Sequence, residues 1–252
     1  MITYRIEVAD AHAHLFRVTL VVARPAAEQR LSLPVWIPGS YLVREFARHL
    51  SAMTAQQGAT SIALEQRDKA TWLARCPGKG ALTVSYLVYA FDTSVRAAYL
   101  DAQRGFFNGT SLCLRVDGSE GLPHRLELNE LPARWQVATA MRPVKADALG
   151  RGVYESADYD ELVDHPVELG RFWRGRFTAG GVPHEYVVAG ALPDFDGDRL
   201  LADAQRICEA QIAFWHGKKG RPPYERYVFL HNLIDDGHGG LEHRASTARA
   251  RR

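Results

Sequence analysis

Met1-Ile2-Thr3-Tyr4-Arg5-Ile6-Glu7-Val8 opens the chain with apolar side chains at every second position. On an extended backbone Ile2, Tyr4, Ile6 and Val8 share one face. The same period returns at Phe16, Val18, Leu20 and Val22 and again at Leu82, Val84, Tyr86 and Val88. These segments predict half-buried antiparallel strands with one side on a core and the other in water. Further strands are expected from Thr71 to Arg75, Leu112 to Val116, Arg125 to Asn129 and Trp135 to Thr139, with turns at Pro77-Gly78 and Asp117-Gly118. Many short strands with little helix predict a mainly β, α+β chain that starts as an antiparallel β-sandwich or a saddle-like sheet. The stretch from Tyr41 to Leu50, after the turn Pro38-Gly39-Ser40, reads as a short helix or an irregular loop.

An acidic, proline-broken seam, Tyr159-Asp160-Glu161-Leu162-Val163-Asp164-His165-Pro166, divides the chain into a β-rich unit over residues 1–165 and a second unit over 166–252. The second unit begins with a hairpin, Arg171 to Thr178 and Glu185 to Ala189, joined through Gly180-Gly181-Val182-Pro183. From Asp198 the period changes: Leu200, Ala204, Ile207, Cys208, Ile212 and Trp215 fall on one helical face, and Gly217 supplies a stop. A strand from Tyr224 to Leu230 then enters the glycine-rich loop Asp235-Asp236-Gly237-His238-Gly239-Gly240.

Composition narrows the function classes. Of 252 residues 46% are hydrophobic and 24% charged, and 31 Lys and Arg against 29 Asp and Glu leave a net charge of +2. That balance is ordinary for a soluble globular chain and leaves no basic patch for nucleic acid. No apolar run approaches the ~18 residues of a membrane span, and the N-terminus reads as a strand, not as a signal peptide. Cys76, Cys113 and Cys208 are odd in number and widely spaced, which predicts buried structural thiols and a cytoplasmic location.

Ten histidines raise the question of a metal. Zinc peptidases place two histidines four residues apart on a helix, as H-E-x-x-H. Here His184-Glu185-Tyr186-Val187-Val188 puts valine where the second ligand belongs, and its β-branched residues favour a strand. His12 and His14 are two apart in a turn, and His49, His124, His165, His216 and His231 have no partner at ligand spacing, so all seven read as surface histidines. Neither a G-x-S-x-G elbow nor a phosphate-cradling glycine loop occurs.

Three stretches together resemble the glycyl aminopeptidase family of metallopeptidases: Leu33-Pro34-Val35-Trp36-Ile37-Pro38-Gly39-Ser40-Tyr41-Leu42-Val43-Arg44-Glu45-Phe46, then Val95 to Asp101 with Arg104 to Ser111, then Gly239-Gly240-Leu241-Glu242-His243-Arg244-Ala245-Ser246-Thr247. The resemblance implies a β-rich N-terminal domain followed by the opening sheet and helix of an incomplete thermolysin-like catalytic domain. It also implies that Glu242, with Gly239 and Gly240 before it, binds the free amino terminus of a peptide. A carboxylate suits that task because an α-amino group with a pKa near 8 is largely cationic at neutral pH. The family's zinc motif and general base would follow this stretch, whereas the chain runs Thr247-Ala248-Arg249-Ala250-Arg251-Arg252. No catalytic residue and no metal ligand is therefore expected here, zinc belonging to the full-length family. Alone the chain should be inactive, and the arginine-rich ending reads as a truncation, an engineered end or a shifted frame. Apolar surface should be bare on the helix and sheet of the incomplete domain. The rival reading is a free-standing β-sandwich that binds peptides or a protein partner.

Overall fold

The computed structural model describes residues 1–217 and 220–251, so Arg252 of the arginine-rich ending lies outside the described residues. Eight strands form the largest sheet, in the order Arg142–Ala146, Gly152–Ser156, His124–Leu128, Ile2–Asp10, Leu15–Val22, Leu82–Tyr89, Leu50–Gln57 and Thr60–Ile62. The three alternating segments lie side by side and bury Tyr4, Ile6, Phe16, Val18, Leu20, Val84 and Tyr86 on one face. Burying each such side chain contributes about 1.5–3 kcal/mol. Not every pairing is antiparallel, because Ile2–Asp10 runs parallel to His124–Leu128 on its second side.

Two four-stranded sheets complete the first unit, one ordered Arg115–Val116, Glu28–Ser32, Thr71–Arg75, Leu64–Asp68 and the other Gln136–Ala138, Val167–Gly170, Arg104–Phe107, Ala98–Leu100. Val167–Gly170 still pairs inside the first unit, and the next sheet begins at Phe172, so sheet pairing changes a few residues beyond 165. Only Arg115–Val116 of the strand expected from Leu112 to Val116 is formed. A helical turn, Gly109–Leu112, precedes it, and Leu112, Cys113 and Leu114 cross the interior almost without solvent contact. Three phenols replace the missing ladder: Tyr86 donates to the Leu112 carbonyl at 2.6 Å, Tyr159 to Cys113 at 2.7 Å and Tyr4 to Leu114 at 2.6 Å. Burial, above all, pushes the pKa of each phenol well above its ordinary value, so all three remain donors.

The second unit is a five-stranded sheet ordered Phe172–Ala179, Val182–Ala189, Tyr227–Leu233, Ser246–Arg251, His238–Glu242. Its first two strands make the expected hairpin, but the turn is only Gly180-Gly181, both at positive φ, and Val182-Pro183 already belongs to the strand. The basic ending is a fully paired inner strand, parallel to Tyr227–Leu233 and antiparallel to His238–Glu242. The glycine-rich loop is shorter than expected, since the edge strand begins at His238. One apolar cluster runs from Tyr4 and Phe16 through Leu112 to Val228, Leu230 and Leu241, so the two units share a core.

The long helix, Gly197–His216, starts at Asp196, whose carboxylate accepts from the Arg199 amide, and stops at Gly217 with φ 77°. It packs on Phe172–Ala179 and buries Ile212, while Ile207, Phe214 and Trp215 face solvent. The expected single apolar face is thus split, which leaves the anticipated apolar surface bare. In the expected Tyr41 to Leu50 stretch only Phe46–His49 is helical, as one 3₁₀ turn. No helix among the described residues is long and apolar enough to cross a membrane.

Tyr86→Phe should lower the free energy of unfolding by about 1–3 kcal/mol, because it strands a buried carbonyl without removing apolar surface. Urea denaturation checks this, and a loss no larger than that of an exposed Tyr89→Phe control would contradict the role given to the phenol.

Candidate functional site

Glu242 ends the edge strand His238–Glu242 and is exposed. Gly239, Gly240 and Glu242 therefore lie on one strand at the rim of the second sheet, where one side of the backbone has no neighbouring strand among the described residues. Neither glycine is needed for backbone geometry, since only Gly237, in the preceding turn, has a positive φ. Nor is either needed for packing: an added Cβ would meet Val95 at 3.5 Å and the Glu242 carboxylate at 3.9 Å, ordinary contacts. The two glycines, both half-buried, leave positions 239 and 240 of the strand without side chains.

Two cavities meet at Glu242. A cleft of about 690 Å³ is lined by Leu33, Trp36 and Pro38 on one wall and by Asp160, Asp164 and His243 on another. The buried Thr110 hydroxyl, which has no hydrogen-bond partner, also lines it. An open groove of about 800 Å³ lies along Tyr227, His238, Gly240, Thr247 and Arg249. The Tyr227 phenol is pushed up to about 12, by burial first and then by Tyr224, Cys208 and Glu242, so it faces this groove as a donor.

The first unit grips the edge strand at two places. Arg96 donates from Nε to the Gly39 carbonyl at 3.0 Å and from Nη2 to the Gly240 carbonyl at 3.1 Å. Asp164 takes His243 Nδ1 at 3.1 Å and the Arg244 amide at 3.1 Å, one on each oxygen. Burial opposes the charge on Asp164, but the hydrogen bonds from His243 and Arg244 outweigh it and hold the carboxyl below its ordinary value. Sequence reading did not single out Arg96, Asp164 or His243 for this purpose, and separations of 79 to 144 residues leave no spacing signal.

The other candidates are structural. His184 is buried in a strand and packs against both Phe177 and Phe229, and Glu185 pairs with Arg174 and Arg176. His124 and His165 are buried, contrary to the surface reading: His124 stacks on Tyr4, and His165 lies beside Glu161. Cys76, Cys113 and Cys208 are free, the first two buried. Among the described residues no three His, Cys, Asp or Glu side chains are grouped to hold a metal ion. A zinc ion therefore does not fit the side chains described.

Asp164→Ala should raise amide exchange over residues 238–244 about tenfold or more, by unpairing the buried His243 ring and the Arg244 amide. The depressed carboxyl sets a direction with pH. Its contribution is complete above the ordinary value of 3.8 and is lost as the pH falls through the lower folded value. Exchange protection of this segment should fall in the same acid range, and protection that is flat there, or equal in the Ala variant, would contradict the grip.

Comparison with known proteins places this geometry. Residues 3–171 match the family model described as the Peptidase M61 N-terminal domain. A crystal structure of an aminopeptidase N family protein from Idiomarina loihiensis superposes with a TM-score of 0.95 at 41% identity, covering 100% of this chain and 42% of that one. The chain thus spans well under half the length of that relative. An M1 zinc metallopeptidase from Deinococcus radiodurans (TM-score 0.55, 15% identity, 99% of this chain and 59% of that one) shares the fold. Yeast LTA4 hydrolase shares it too (TM-score 0.53, 13% identity, 99% and 40%). A comparison with curated protein sequences found no match. On a family match over most of its length, the chain belongs to the peptidase M61 family.

Proposed function

We propose that the chain is the N-terminal portion of a zinc-dependent glycyl aminopeptidase-like peptidase, in which Glu242 receives the free amino terminus of a peptide laid along the edge strand. The observation that carries this reading is the exposed Glu242 carboxylate at the end of an edge strand on which Gly239 and Gly240 carry no side chain. An extended peptide pairs with an open strand edge through its backbone, and a fixed carboxylate there favours chains that end in a cation. Blocked or internal segments gain nothing from it, which is the discrimination an exopeptidase requires.

Zinc ligands and the general base come, in this reading, from polypeptide beyond the described residues, and no catalytic step is assigned to the residues present. The exposed Ile207, Phe214 and Trp215 on the long helix support an interface with further chain and weigh against a free-standing module. The free cysteines support a cytoplasmic site of action.

The purified 252-residue chain, given one equivalent of zinc, should show no hydrolysis of glycine or alanine p-nitroanilide above buffer. Turnover with stoichiometric bound zinc would overturn the reading. By calorimetry, glycyl-leucyl-phenylalanine amide should bind, and N-acetylation of the peptide or Glu242→Gln should each weaken it about tenfold or more. Equal affinity of the free and acetylated peptides would remove Glu242 from the role.

A further inference from the structure

The second sheet has one face in the shared core and one face turned outward. Val228, Leu230, Leu241, Ala248 and Ala250 belong to the core. Tyr227, Phe229, Thr247, Arg249, Gly240 and Glu242 alternate with them and so share the outward face. The long helix packs on this face at Phe172–Ala179, where an added Cβ on Gly175 would stand 2.7 Å from Leu201. That strand is the far edge of the sheet, so the open groove at Glu242 lies at the other end.

Two charges of opposite sign stand in that groove. Glu242 and Arg249 are both exposed, and both line it. Gly240 is directly opposite Arg249 in the strand register, and Thr247 is opposite Glu242. Glu242 and Arg249 are thus diagonal neighbours, with backbones roughly 7–8 Å apart. Gly240 puts no side chain between them, and a Glu242 carboxylate oxygen lies 3.9 Å from where a Cβ on Gly240 would be. Among the described residues neither Glu242 nor Arg249 has an ion-pair partner, and the pairs nearest them end at His243 and Arg244. Burial first, and then the charges of Arg249 and Arg251, hold His231 below its ordinary pKa, so the arginines carry the positive charge of this face.

We propose that this groove is a seat for a short zwitterion, a dipeptide with both ends free, whose amine meets Glu242 and whose carboxylate meets Arg249. The proposal deepens the Glu242 reading and rests on it for the amine. An extended dipeptide spans roughly 7 Å between its charged ends, which matches the diagonal. A guanidinium takes a carboxylate through two parallel N–H bonds, and the Tyr227 phenol is a further donor in the same groove. Further polypeptide packed over this spot would bury two charges without partners, which is costly, whereas a zwitterion brings a counter-charge to each. The exposed Phe214 and Trp215 on the long helix offer such polypeptide an apolar place instead.

The test compares glycyl-leucine with glycyl-leucine amide, which keeps the amine and loses the carboxylate, by NMR titration of the 252-residue chain at neutral pH. The native chain should bind the free dipeptide about fivefold more tightly, the scale of one exposed ion pair. Arg249→Gln should bring the two affinities within about twofold of each other and leave that for the amide unchanged. Arg249→Lys, which keeps the charge, should retain a preference for the free dipeptide, and Arg251→Gln, one step further along the face, should retain all of it. Because the Arg249 side chain is exposed, the melting transition of Arg249→Gln should match that of the native chain. Glu242→Gln should weaken both probes. Equal binding of the two probes by the native chain, a preference that survives Arg249→Gln, or binding of neither probe overturns the seat. In the first two cases, a Glu242→Gln variant that still weakens both probes leaves the Glu242 reading standing. Undiminished affinity in Glu242→Gln refutes the Glu242 reading, and the seat with it, even where the preference still depends on Arg249.

Discussion

A backbone that crosses an apolar interior must find partners for its carbonyls, and the position of the candidate site follows from how Leu112, Cys113 and Leu114 find theirs. Three phenols, from Tyr4, Tyr86 and Tyr159, each take one carbonyl. They fix the segment without a strand ladder, and with it Asn108 and Thr110 just before. Asn108 in turn donates to the carbonyls of Val95 and Ala97, at 2.9 and 3.2 Å. Arg96 is the residue between them, so its side chain leaves from a backbone tied on both sides. The path from a buried tyrosine to the Gly240 carbonyl therefore runs through a few short bonds.

That path accounts for the division of labour between the two units. The second sheet supplies the strand and the carboxylate, while the first supplies Arg96 and Asp164, which fix where that strand stands. An exposed edge strand is ordinarily a liability, since it invites pairing with any other extended chain. Here the edge borders a cleft lined by Leu33, Trp36 and Pro38 together with Asp160 and Asp164, and Arg96 already holds the Gly240 carbonyl, so it is open to few comers.

Much of this was legible in the residues. The period-two runs at Tyr4, Val18 and Val84 placed three neighbouring strands because one-sided burial leaves a direct imprint on sequence. The long helix was readable from its spacing and from Gly217, although Ile207 and Trp215 showed that apolar spacing does not reveal which residues a small sheet can cover. The segment at Leu112 misled for a physical reason, since its continuous apolar character reflects burial on all sides and says nothing of who satisfies the backbone. Gly239, Gly240 and Glu242 stood out through resemblance. Arg96 and Asp164 did not, because what they do depends on contacts made across most of the chain length.

The order of strands in the second sheet bears on synthesis. Ser246–Arg251 lies between Tyr227–Leu233 and His238–Glu242, so the strand that carries the carboxylate has no neighbouring strand to pair with until a later stretch has slipped in beside it. On a ribosome, which releases the chain from its N-terminus at about 5–20 residues per second, the eight-stranded sheet emerges long before that happens. The nascent protein thus spends several seconds with its anchor points, Arg96 and Asp164, already built and waiting, and the carboxylate is seated as one of the last acts of the described fold.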